Sequence, residues 1–212
     1  LSHERYDLTT SMQMYETLEG SNSDRYSYSL PNYDFSKNFN LESIDGSFNF
    51  NSTGSNTLTN TNILSTSVSN DLKYTSINNF LNNGIKSNFE IFLKNINTLG
   101  KNNPTYKDTP QSELMSAYTY NASLPLTKKN NKSFNTLEPK LSLRFSPHEM
   151  KNNSNESRRI DISNVFSSTR LNSGDSFEGG ESITLGLNFK IDKINTINKI
   201  SEIEEYIDLK LA

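Results

Sequence analysis

Residues 182–191 read "SITLGLNFKI". Ile183, Leu185, Leu187, Phe189 and Ile191 fall on one side of an extended chain, with Ser182, Thr184, Gly186, Asn188 and Lys190 on the other. Strict alternation of this kind suits a strand with one apolar and one wet face, and it excludes a helix, whose apolar residues recur at i, i+3 and i+4. The same period runs through most of the chain. Leu137, Leu141, Leu143 and Phe145 share a face in "TLEPKLSLRF", as do Leu114, Tyr118, Tyr120, Ala122 and Leu124 in "ELMSAYTYNASL". Ile85, Phe89, Ile91 and Leu93 repeat it, and so do Leu64, Val68, Leu72 and Tyr74, and Tyr6, Leu8, Met12 and Met14. Shorter runs lie at Tyr26-Tyr28-Leu30, Phe48-Phe50 and Ile207-Leu209-Leu211. The total is about nine strands, each near the ~9–11 residues that cross a bilayer at the usual tilt.

Composition decides what such strands belong to. Only 32% of residues are hydrophobic and mean hydropathy is -0.70, values that elsewhere accompany disorder. Yet there are 12 Phe and 10 Tyr, and the net charge of -3 is too small to hold a chain open. A wall with lipid on one side and water on the other reconciles these, because about half of every strand must be polar. The expected fold is all-β: an antiparallel up-and-down transmembrane β-barrel, of which residues 1–212 form one part. No run nears the ~18 apolar residues of a membrane-spanning helix. The chain has no initiator Met and stops within "YIDLKLA", which reads as an interior piece of a longer protein.

Turn-rich stretches place the connections. "EGSNSD", "NSTGSN", "GKNNPTYKDTP" and the long segment 146–180 leave one end of the strands, and "DFSKN", "NNFLNNG", "TKKNNKS" and "DKINTIN" leave the other. Longer connections mark the extracellular side of an outer-membrane barrel, so 146–180 is expected to be an extracellular loop. Pro139 removes a ladder donor from its strand, and a local bulge is expected there.

Two stretches resemble the family of the lipopolysaccharide-assembly outer-membrane protein LptD, also called organic solvent tolerance protein. "TLEPKLSLRFSP" is similar to the strand that enters that family's long loop, and "NVFSSTRLNSGDSFEGGESITLGLNF" to the end of the loop and the returning strand. The matching positions are Val165-Phe166, Arg170, Gly174, Asp175, Glu178 and Gly179-Gly180; Ser176 stands where the family carries the Arg of an Asp-Arg pair. "SYSLPNYDFSK" is similar to the family's strand ending in Leu-Pro. The resemblance implies a barrel in the outer membrane of a Gram-negative bacterium that delivers lipopolysaccharide to the outer leaflet. Its implied partners are lipopolysaccharide, outer-membrane lipid, an LptE-like lipoprotein plug in the lumen and the periplasmic Lpt bridge. The alternatives are another outer-membrane barrel, such as a porin or receptor-type transporter, and a secreted β-sandwich adhesin.

The candidate loop residues are Phe166, Arg170, Asp175 and Glu178. Asp175 is expected to accept from Arg170, burying Phe166 as the loop closes over the barrel mouth, while "KNNSNES" stays mobile. Against this, the same charges suit a solvated loop, where an exposed pair contributes at most about 1 kcal/mol. Lys86, Glu90, Lys94, Glu138, Lys140 and Arg144 fall on the lumen side, where they could meet a plug or a head group or simply keep the interior polar. On the last strands, Ile183, Leu185, Leu187 and Phe189 are expected to face lipid, and Thr184, Asn188 and Lys190 the lumen.

No catalytic constellation is expected, and no cofactor. His3 and His148 have no ligand spacing between them, and Glu202, Glu204 and Glu205 read as a solvated cluster near a strand start. The chain has no cysteine, no GxSxG and no phosphate-binding glycine loop. The 21 basic and 24 acidic residues form no basic stripe, which argues against nucleic acid as a partner.

Overall fold

The computed structural model describes residues 2–3, 6–18, 25–130, 132–152, 159–171, 175–197 and 200–212. The strands are β1 (Ser2–His3), β2 (Tyr6–Glu16), β3 (Tyr26–Leu41), β4 (Ile44–Thr59), β5 (Ile63–Ser76), β6 (Asn79–Phe80), β7 (Lys86–Lys101), β8 (Gln111–Ser123), β9 (Leu126–Lys129), β10 (Ser133–Ser146), β11 (Lys151–Asn152), β12 (Ser176–Phe177), β13 (Gly180–Ile197) and β14 (Ile200–Leu211). No helix occurs among the described residues. The principal sheet is antiparallel, in the order β1-β2-β3-β4-β5-β7-β8-β10-β13-β14, with β6 on β7 and β9 on β10. Every long strand pairs with its neighbour in sequence, as the alternation predicts. Among the described residues the two ends of the order, β1 and β14, do not meet.

Register assigns the two faces, because residues directly opposite one another in a ladder point the same way. One face carries the row Phe145–Tyr118–Ile91–Tyr74–Phe48–Phe39. Ring contacts continue along it: Phe39–Phe48 at 5.3 Å, Phe48–Tyr74 at 4.8 Å and Tyr118–Phe145 at 6.4 Å. Nothing among the described residues covers this bare face on β13, where Ile183 and Leu185 are 74% and 68% exposed. Thr184 between them is 8% exposed, because the opposite face is roofed there by the long loop.

Ladder rows also run obliquely to the strand ends. Phe145 lies next to the loop end of β10, but its row reaches Phe39 near the turn end of β3. The apolar stretch shifts as well between β13 and β5: the row of Ile183 runs through Leu143, Tyr120 and Phe89 and so passes beyond Tyr74, which pairs with Ile91.

Three expected connections are strand instead. "DFSKN" lies inside β3, "NSTGSN" inside β4, and "DKINTIN" extends β13 to Ile197. Their Asn, Ser and Gly resemble turn chemistry but alternate with paired neighbours, and the Tyr33 ring lies over Gly54 in place of the missing side chain. The β4–β5 turn falls at 60–62, where Asn60 (φ 51°) and Thr61 (φ 58°) form a two-residue left-handed corner closed by Asn62 N–H on the Thr59 carbonyl (3.3 Å). "EGSNSD" lies outside the described residues, as does most of "KNNSNES".

Pro139 makes no bulge in β10, whose register with β13 is continuous through Pro139↔Leu187. Its carbonyl accepts from Leu124 (3.1 Å), so its missing N–H points to the same side. There β8 ends at Ser123 and β9 begins at Leu126. The break falls in the neighbouring strand, where no donor is missed.

Candidate functional site

The connection from β10 to β13 folds back across the polar face of β7, β8 and β10. Its terminal residues are built for close approach. Chain 148–150 passes directly over Gly179, where any Cβ would collide with the His148 carbonyl and the Glu149–Met150 backbone. Gly180 has open space around it but sits at φ 88°, a conformation side chains disfavour. The glycine pair therefore serves contact at one position and backbone shape at the next. β11 and β12 pair within the loop, fixing Phe177 opposite Lys151.

Phe177 is the loop's anchor. It is 3% exposed and stacks on Phe92 of β7 (6.3 Å, 8°), with the His148 ring edge-on at 6.1 Å. Phe92, Ile96, Met115, Ala117 and Phe177 form the buried core. The four strand residues of this cluster sit on the otherwise polar face, opposite in parity to Ile91, Leu93 and Tyr118. Burying an aromatic side chain there stabilises docking by roughly 1.5–3 kcal/mol.

Polar contacts surround this core. Arg170, 7% exposed, forms a two-pronged pair with Glu178: Nε donates to Oε2 at 2.9 Å and Nη2 to Oε1. Nη2 also reaches Ser182 Oγ on β13 at 2.9 Å. Arg144 of β10 rises beneath the loop, donating from Nη2 to the Glu178 carbonyl (2.6 Å) and from Nε to the Ser168 carbonyl (3.3 Å). Lys94 donates to both oxygens of Asp71 (2.9 and 3.0 Å) and lies 5.9 Å from the Phe92 ring. Lys73 pairs with Glu90 at 2.9 Å.

The expected pairing of Arg170 with Asp175 is corrected by this geometry. Arg170 takes Glu178, while Asp175 accepts from the hydroxyl of Tyr106, in the connection between β7 and β8, at 2.6 Å. Nε and Nη2 of Arg170 are taken up by Glu178 and Ser182, which leaves Asp175 to the Tyr106 hydroxyl. Burial and then the hydrogen bond to Asp175 push the Tyr106 phenol from 10.0 up to about 12. Asp161, at the loop's exposed bend, is held below the usual carboxylate range by the hydroxyl and then the amide of Ser163.

Phe166 is only half-buried, and its ring lies against Gly186 of β13, where a Cβ would meet it. Sequence reasoning assigned it the anchoring role that Phe177 fills. Of the remaining candidates, Glu138 pairs with Lys140 (3.2 Å) and accepts from Asn188 (3.4 Å); Lys86 shares a ladder row with Ser123 and Lys140. Gly174 lies outside the described residues. His148 is engaged with Phe177 and, at 3.3 Å, with Ser116 Oγ. No cluster of three His, Cys, Asp or Glu able to hold a metal occurs among the described residues.

Phe92, Phe177, Tyr106 and Ser168 were missed. The signal for Phe92 was present: it breaks the alternation that Phe89, Ile91 and Leu93 keep. No protein-family model matches the chain, and no curated protein matches it.

Proposed function

We propose that the chain is a stretch of the wall of an LptD-type outer-membrane barrel, non-enzymic, that passes lipopolysaccharide to the outer leaflet. One observation carries the membrane part of this reading. The same strands present an uncovered face with a row of aromatic and aliphatic residues on one side and an ion-paired face with a folded loop on the other. In water such a bare face is an association hazard; against lipid it is the required surface. The oblique course of the ladder rows supports it, since closing a sheet requires tilted strands. The lipopolysaccharide part rests on the resemblance of residues 136–189 to that family. A docked loop over the polar face fits a channel whose outer mouth must stay sealed while a large amphiphile leaves. An LptE-like lipoprotein and the periplasmic Lpt bridge would then be its partners.

A second reading, a β-sandwich adhesin or a barrel of another kind, has one observation on its side. On the bare face from β3 to β7 a ladder of polar side chains links Tyr33, Ser52, Asn70, Asn95 and Asn97. Asn70 Nδ2 donates to Asn95 Oδ1 at 3.2 Å, and Asn97 Nδ2 donates to the same oxygen at 2.6 Å. Such a patch suits water or a covering protein better than lipid.

The deciding experiment is depletion of the full-length protein in its own bacterium, with lipopolysaccharide followed across separated inner and outer membranes. Accumulation of lipopolysaccharide in the inner membrane is the expected result. Normal distribution with the protein in the outer membrane would leave the other barrels; release of the protein without detergent would favour the adhesin.

A further inference from the structure

A cleft of about 210 Å³ lies on the polar face, lined by Lys86, Asn88, Asn121, Glu138, Lys140 and Phe166 among others. Liquid water takes up about 30 Å³ per molecule, so the space is several times larger than one. Clefts for drug-sized ligands run to roughly 300–1,000 Å³, which sets the occupant here at a single ring. The floor comes from the ladder. Lys86, Ser123 and Lys140 share one row across β7, β8 and β10, and Asn88 and Asn121 are paired in a neighbouring row of the same face. Glu138 stands at the adjacent polar position of β10, where its Oε2 lies 3.2 Å from the Lys140 ammonium and accepts from Asn188 at 3.4 Å. Phe166 of the loop supplies one wall. Its ring is set low because Gly186 has no side chain beneath it. All six side chains are half-buried.

The mixed character of these side chains narrows the ligand. A hydrocarbon would strip water from Lys86 and the two amides and return no hydrogen bond. An inorganic anion is not favoured, because Glu138 already places a negative group in the cleft. A metal ion would lack ligands, since no group of three His, Cys, Asp or Glu occurs among the described residues. A pyranose ring meets every part. Its hydroxyls both donate and accept, as do the amides of Asn88 and Asn121, while Lys86 donates and Glu138 Oε1 accepts. Its C–H face packs on an aromatic ring, whose own face is negative. We propose that this cleft binds one pyranose unit from the saccharide part of lipopolysaccharide, with Phe166 against the sugar face and Lys86, Asn88, Asn121 and Glu138 on its hydroxyls. The assignment rests on the reading that the polar face lines the path of lipopolysaccharide. The loop then contributes to substrate contact as well as to closure.

The test is saturation-transfer NMR on the purified full-length protein, in a detergent whose head group is not a sugar. The probe is the oligosaccharide freed from lipopolysaccharide by mild acid. Contact through one ring supports binding of roughly millimolar strength, so the probe is titrated through that range. Phe166→Leu keeps an apolar contact at Gly186 but removes the aromatic face, and should weaken binding about three- to tenfold. Lys86→Met keeps the side chain's length and removes a donor, with a loss of about the same size. It reads the same cleft should Phe166→Leu fail to fold. Asn51→Ala, on the polar face of β4, should leave binding unchanged. Absence of a signal, or a signal that the folded cleft variants leave unchanged, overturns the assignment. That failure, alongside inner-membrane accumulation of lipopolysaccharide on depletion, would strike the cleft and leave the transport reading. Binding that the variants weaken, with lipopolysaccharide normally distributed on depletion, would do the reverse.

Discussion

The polar face differs sharply between β4 and the pair β7–β8. On β4 it presents Ser47, Asn49, Asn51, Thr53, Ser55 and Thr57, with no apolar residue. On β7 and β8 the same face carries Phe92, Ile96, Met115 and Ala117, all buried. The loop docks on the second region. Both have period-two strands and a continuous ladder, β4 with β5 and β7 with β8, so hydrogen bonding does not choose the docking place. Hydrophobic residues at the wrong parity do: each would lie on a wet face, and Phe177 removes them from water.

The largest effects should come from undoing that docking. Arg170→Ala leaves Glu178 buried without its cation and should cost about 3–5 kcal/mol, borne by the loop. Phe177→Ala should cost about 3–5 kcal/mol through the cavity left over Phe92. In native-state hydrogen exchange both variants should raise the rates at residues 165–171 and 175–178, while the ladder of β4 with β5 keeps its protection. Uniform loss of protection across both regions would break the comparison, since loop and sheet would then be one cooperative unit.

A smaller effect tests the opposite face. If β13 crosses a bilayer near its midplane, Leu185→Arg should cost roughly 2–4 kcal/mol in lipid. The control must avoid Thr184. Thr184 is expected on the lumen side but is 8% exposed beneath the loop, so an Arg there would displace the Arg170–Ser182 contact above it. Asn188→Arg, beyond the docked segment and half-buried, is the suitable partner substitution. Equal costs for Leu185→Arg and Asn188→Arg in lipid would end the face assignment.

The strands were legible because period two needs only local sequence. Ile183 to Phe189 and Leu137 to Phe145 appear in the structure on the faces that their parity gave. Strand lengths were not, since Asn51, Gly54 and Asn38 carry turn chemistry that their pairing partners override. At the candidate site, the residue types Arg170 and Glu178 were readable and their pairing was not. Which carboxylate meets a guanidinium depends on how 175–178 docks on the sheet and on Tyr106, 69 positions away from Asp175 along the chain. The parity breaks at Phe92, Ile96, Met115 and Ala117 were visible, and they were the one local mark of a long-range contact.

The smallest expected effect concerns that long-range contact. Tyr106 donates to Asp175 at 2.6 Å, joining the β7–β8 connection to the docked loop. Tyr106→Phe should cost about 1 kcal/mol, below the usual range for a hydrogen bond to a charged group because the phenol is only half-buried. The pH dependence has a definite sign. The phenol is raised from 10.0 to about 12, so the folded state keeps its proton where the unfolded state has lost it. The contribution is fully present below pH ~10 and declines as pH rises through about 12. Chemical unfolding of the wild type should therefore weaken across that interval relative to Tyr106→Phe, with the two curves converging at its upper end. The bond lies outside the ladders of β4, β7 and β8, so their exchange protection should show no difference between the two proteins at moderate pH. Parallel curves for wild type and variant from neutral pH to the alkaline limit would mean that the proton on Tyr106 does not help to hold the loop.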